Sequence, residues 1–152
     1  MNTETTPPTA GAGPPGPDDV EVLDPAQCWA ILREAPFGRL GVIVDERPEI
    51  FPVNHIVDHG SIVFRSAAGT KVAAAVGSRV VFEVDGYDLT AGRAWSVMVS
   101  GPARKVTDTD DLIDVMQAPL DPWHQGAKPH FVRIVTESVT GRRYPVSGGA
   151  RT

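Results

Sequence analysis

From residue 39 onward, apolar and polar positions alternate, and turn-forming residues break the pattern at short intervals. Residues 39–44 put Leu40, Val42 and Val44 on one face, and residues 79–85 do the same with Val80, Phe82 and Val84. A period of two is the mark of a half-buried strand. Further strands are predicted at 49–57, 61–65, 94–106 and 131–139, with turns at 45–47 and 58–60. Helical signals frame them. Asp24 followed by Pro25 supplies an N-cap and a proline at the first helical position, and Cys28, Ile31 and Leu32 share a helical face before Pro36 stops the run. An Ala-rich stretch from Thr70 or Lys71 to Val76 reads as a short helix ended by Gly77. Ile113, Val115 and Met116 suggest another helix at about 108–118, followed by a loop at 121–129. The pattern predicts an α+β domain of six strands. So many strands in a short chain close most easily into a small barrel, which removes exposed edges.

Composition narrows the picture. A chain of 152 residues is one domain's worth. Residues 1–19, rich in Thr, Pro, Gly and Ala, are expected to form a disordered tail, 20–146 the folded domain and 147–152 a second flexible tail. The net charge is −5 and the basic residues are scattered, which argues against a nucleic-acid or anionic-membrane surface. Cys28 is the only cysteine, so no internal disulfide forms, and its apolar neighbours point to a buried, unreactive thiol. With no membrane-length apolar run and no signal-peptide pattern, the expectation is a soluble cytoplasmic protein. No Ser-His-Asp, Cys-His or paired-carboxylate arrangement suggests hydrolysis, and no catalytic residue is assigned. Glu83 and Asp85 share a strand face and are expected to meet solvent. His55 reads as a core or cleft-lining histidine and His59 as a wet turn residue. With His124 and His130 far along the chain, no metal-ligand spacing appears.

The most informative stretch is DHGSIVFRSAAGTKVAAA, residues 58–75. It gathers Arg65, Ser66, Gly69, Thr70 and Lys71 where a strand gives way to a helix. Two cations, two hydroxyls and free amides at a helix start make a natural anion site, phosphate above all. Thr70 as a plain helix cap, with both cations in water, is the other reading. It is not a nucleotide-hydrolase P-loop: Ser-Ala-Ala precedes Gly-Thr-Lys, and the hydroxyl comes before the lysine.

The order of GRLGVIVDERPEIFPVNHIVDHGSIVFRSAAGTKVAAA, VVFEVDGYD, GRAWSVMVSGPARKV, a late DPW and VRIVTESVTGRR resembles the pyridoxamine 5′-phosphate oxidase-like flavin-binding proteins, over about residues 24–143. The resemblance implies a six-stranded split β-barrel working as a homodimer. FMN, or in some relatives a deazaflavin or haem, lies in a groove at the dimer interface. It implies that Arg65, Ser66, Thr70 and Lys71 hold the flavin phosphate, and that Pro52, Val53 and Asn54 run beside the ring. Trp95 and Ser96 match a segment that faces the flavin, with Trp95 either covering the ring or filling core. Trp123 matches a late aromatic that reaches the partner subunit's site. The chain departs from true pyridoxamine phosphate oxidases at its C-terminus, which lacks their basic segment, so the small-molecule substrate is left unidentified. The expectation is an FMN-binding oxidoreductase. A deazaflavin-dependent reductase on the same fold and a non-catalytic flavin or haem binder are the alternatives.

Overall fold

A computed structural model describes residues 19–67, 69–107 and 129–146. In chain order the elements are β1 (Glu21–Val22), α1 (Pro25–Glu34), β2 (Gly38–Val44), β3 (Arg47–Val53), β4 (His55–Asp58), β5 (Ser61–Ala67), α2 (Lys71–Ala74), β6 (Arg79–Asp88), β7 (Arg93–Lys105), β8 (Pro129–Ile134) and β9 (Ser138–Pro145). Every strand pairing is antiparallel.

Nine strands stand where the pattern predicts six. The run at 49–57 breaks at Asn54 into β3 and β4, the run at 131–139 divides into β8 and β9, and β1 is new. One sheet runs in the order β3-β2-β6-β7-β8-β5-β4, with β9 beside β7 and β1 beside β9. It does not close. β3 and β4 are the two ends of that path, consecutive in the chain and joined only through Asn54. The split-barrel expectation therefore holds in its architecture, while closure of the sheet and the strand count are corrected.

Local chemistry sets the corners. Asp24 caps α1 by accepting the Gln27 amide at 2.8 Å, and the Gln27 side chain accepts the Asp24 amide at 2.9 Å. Asp45 and Glu46 both take positive φ, as the two-residue turn joining β2 to β3 demands. β7 bends at Gly101. Up to Ser100 it pairs with β9, and from Ala103 with β8. At the bend a Cβ on residue 101 would overlap the Val135 carbonyl, so only glycine lets the two backbones cross.

Leu32, Leu40, Ile62, Phe64, Phe82 and Ile134 are all at most 1 % exposed and fill the space between the curled faces of the sheet and α1. Each contributes on the order of 1.5–3 kcal/mol by burial. Cys28 lies in this core as expected, and burial pushes its thiol pKa up. Among the described residues no helix is long and apolar enough to cross a membrane. The expected helix at 108–118, the loop carrying Trp123 and His124, and the tails at 1–18 and 147–152 lie outside the described residues.

Candidate functional site

The opening in the sheet organises the candidates. β4 pairs with β5 only from His55↔Phe64 to Asp58↔Ser61. Arg65, Ser66 and Ala67 therefore run on past the end of β4, held on their other side by β8. β3 diverges at Asn54, and its outer edge has no strand partner among the described residues. One lip of the resulting split is β3, with exposed Pro52 and half-buried Val53 leading to half-buried Asn54. The other lip is the end of β5 and the start of α2. Lys71 on α2 crosses the gap, its Nζ 2.8 Å from Glu49 Oε1 on β3.

The phosphate candidates divide. Ser66 Oγ lies 3.3 Å from Thr70 Oγ1. The Thr70 hydroxyl donates to the Ala67 carbonyl at 2.8 Å and accepts the Ala73 amide at 3.2 Å. Its single proton is thus committed and it does cap the helix. Ser66 Oγ reaches the Ala67 carbonyl only at 3.4 Å, which leaves its proton the more readily redirected. Arg65 stands apart. Neighbouring strand residues project to opposite faces, so Arg65 leaves β5 on the side of Val63, where its guanidinium lies 5.3 Å from the centre of the Phe131 ring. Ser66 leaves on the side of the main core. Helix α2 is a single turn of four residues, too short for the helix-dipole argument to add much. Glu49 is what the sequence did not signal: it raises the Lys71 pKa by a hydrogen bond and by its charge.

Trp95 and Ser96 are not at the split. Both lie on β7 opposite Gly86 and Asp85 of β6. Trp95 lines a separate cleft of about 740 Å³ between the end of α1, Phe37 and the β6–β7 pair. Trp123 lies outside the described residues.

Two histidines sit as their neighbours suggest. His55 is 7 % exposed, its Nε2 2.8 Å from the Leu32 carbonyl and its ring 4.7 Å from Phe82. Burial holds its pKa below the usual value against that hydrogen bond. His59 is exposed in the β4–β5 turn beside Asp58. That turn is tied to β8 by Arg133, which donates to the Asp58 carboxylate at 2.8 Å and to Ser61 Oγ, so this end of β5 is fixed. On the outer face, Arg39 lies 2.9 Å from Asp85 and 3.6 Å from Glu83. Burial, then the neighbouring Asp85, push the Glu83 pKa up to about 7, against the pull of Arg39. The pair faces outward as expected, but the register that brings Arg39 to it was not legible.

Comparison with known proteins agrees with this architecture. Residues 24–143 match the family model described as pyridoxamine 5′-phosphate oxidase. An uncharacterised protein of Mycobacterium tuberculosis is 33% identical over 138 residues, covering 87% of this chain and 90% of that protein. The solved structure of an FAD-binding protein from Mycobacterium smegmatis is 38% identical with a TM-score of 0.77, covering 84% of this chain and 100% of that one. A structure described as a putative pyridoxamine 5′-phosphate oxidase from Corynebacterium glutamicum is 32% identical with a TM-score of 0.72, covering 85% and 96%. By the extent of the family match and the identity across nearly the whole length of its relatives, this chain belongs to the pyridoxamine 5′-phosphate oxidase family.

Proposed function

We propose that the protein is a flavin-nucleotide-binding oxidoreductase acting on an unidentified small molecule, with the flavin phosphate taken up at the wide end of the split. One observation carries this reading: Ser66, Thr70 and Lys71 stand on one lip, and Pro52, Val53 and Asn54 on the other. The donor set fits one phosphate group, because it holds a cation, a serine whose proton can be redirected, and an unpaired strand edge. A phosphate takes the place of the Glu49 carboxylate on Lys71, and Thr70 keeps the loop in shape by capping α2. Arg65 supports the site by fixing β5 against Phe131. The open edge of β3 and the Asn54 amide supply hydrogen bonds to the polar edge of a flavin ring. When bound, the flavin supplies the electron transfer, and the protein supplies binding, orientation and shielding from water.

FMN and FAD share the ring, ribityl chain and first phosphate, and the split addresses that common half. The Mycobacterium smegmatis relative is an FAD-binding protein, which favours FAD as the natural ligand over the FMN expected from the sequence. A homodimer belongs to the same reading. Ile43, Ile50, Val81 and Met98 are 40–70 % exposed on the outer face of β3-β2-β6-β7, an apolar surface that a second copy covers.

The test uses two ligands. Lys71→Ala should weaken FMN binding by about 1.5–3 kcal/mol, roughly ten- to a hundredfold, and leave riboflavin, which lacks the phosphate, nearly unchanged. Equal loss for both ligands, or for neither, refutes the phosphate assignment. The mass of the co-purifying flavin separates FAD from FMN.

A further inference from the structure

The Trp95 cleft lies apart from the split and the flavin reading makes no use of it. Trp95 sits opposite Gly86, and a Cβ on Gly86 would come within 2.5 Å of the indole, so the Nε1–Cζ2 side of the ring is packed against the β6 backbone. Glycine makes room for a fixed aromatic platform. Phe37, 48 % exposed on the α1–β2 connection, and Ile31 belong to the opposite wall. Arg93 is two residues before Trp95 on β7 and so projects to the same side.

The charges select the ligand. Arg39 is held by Asp85 at 2.9 Å and Arg143 by Glu21 at 3.2 Å. Asp88 accepts the Ala91 amide at 3.1 Å within its own turn. Half-buried Arg93 has no ion pair among the described residues, so one guanidinium fork remains for a ligand. Glu34, Asp85 and Asp88 on the walls disfavour a polyphosphate. We propose that this cleft binds a planar aromatic monocarboxylate, its ring stacked between Trp95 and Phe37 and its carboxylate on Arg93. Such a compound is a candidate substrate or effector of the protein. The proposal stands whether or not the split holds a flavin.

Calorimetric titration of the protein as purified, with any flavin it carries, against 2-naphthoate is the test. The expected result is one site per chain. Affinity should fall about tenfold or more in Arg93→Gln and again in Trp95→Ala, while Trp95→Phe and Arg93→Lys keep part of it. The neutral amide, 2-naphthamide, should bind correspondingly more weakly than the carboxylate. Lys71→Ala, which alters the split, should leave naphthoate binding unchanged. No heat of binding up to millimolar naphthoate overturns the proposal, as does wild-type affinity in Arg93→Gln. Loss of binding in Lys71→Ala equal to that in Arg93→Gln overturns it too, by placing the probe in the split.

Discussion

The split and the Trp95 cleft are built by opposite means. At the split the sheet fails to pair among the described residues, and there β3 and the end of β5 each present an open edge. At the Trp95 cleft pairing is continuous: Gly86, Trp95 and Arg143 stand in one row across β6, β7 and β9. An unpaired edge offers backbone donors and acceptors that survive side-chain substitution. A fully paired row offers side chains alone. Recognition at the split is therefore expected to tolerate changes of residue along β3, whereas recognition at the cleft rests on Trp95 and Arg93 individually.

The largest expected effect tests whether the paired half is the rigid one. Gly101→Ala puts a Cβ into the Val135 carbonyl where β7 passes from β9 to β8. Two backbones must separate, and urea denaturation should show a loss of about 3 kcal/mol. A loss under about 1 kcal/mol would mean that the crossing yields and that this half is no stiffer than the split.

Acid should act oppositely on the two regions. The Glu83 pKa, up at about 7 in the folded protein, lies above the ordinary carboxylate value. Stability tied to it is fully present below that ordinary value and is lost as pH rises through about 7. Glu83→Gln should therefore gain on wild type between pH 4.5 and 8, by on the order of 1–2 kcal/mol once solvent screening is allowed for. His55, at the start of β4 beside the split, has its pKa lowered by burial. Its contribution is present above the usual histidine value and is lost as pH falls below it. In the Glu83→Gln background the acid sensitivity that remains near the usual histidine value should follow His55, while Asp58 and Glu137, whose pKa values are also lowered, add to it in the carboxylate range. A pH-independent difference between wild type and Glu83→Gln would remove Glu83 from the account.

The smallest effect belongs to α2. Thr70→Ala removes the hydroxyl that caps Ala73 and should cost about 1 kcal/mol. Amide exchange should speed up at residues 73–76 and stay unchanged in β6 and β7. Acceleration spread over the whole sheet would tie α2 to the paired half.

What was legible follows from the range of the forces. The α1 start rests on contacts three residues apart, Asp24 with Gln27, and it was predicted to the residue. Period-two strands were legible because Leu40, Val42, Phe82 and Val84 alternate into one core. The break at Asn54 was not, since the residues on both sides of it keep strand character and only the divergence of β3 from β5 separates them. The Lys71–Glu49 pair spans 22 residues, and Arg39 with Asp85 spans 46. Such pairs depend on a register that alternation alone does not determine. Arg65 and Ser66 are a different case: they are neighbours on one strand, so the same alternation that makes the strands legible sends them to opposite faces.

Asn54 gives the split the mechanics of a wedge. Its narrow end is a single residue with two backbone torsions, and its wide end is latched by one exposed ion pair between Lys71 and Glu49. On the β4 side the pivot is anchored, because His55 is buried and bonded to α1 through Leu32. On the β3 side the strand is paired with β2 along its whole length, and Phe51 and Val53 pack against the core. Widening the mouth therefore costs the weak Lys71–Glu49 contact at its rim and, further in, the packing of Phe51 and Val53, so the split yields most easily at its outer end and is stiffest next to Asn54.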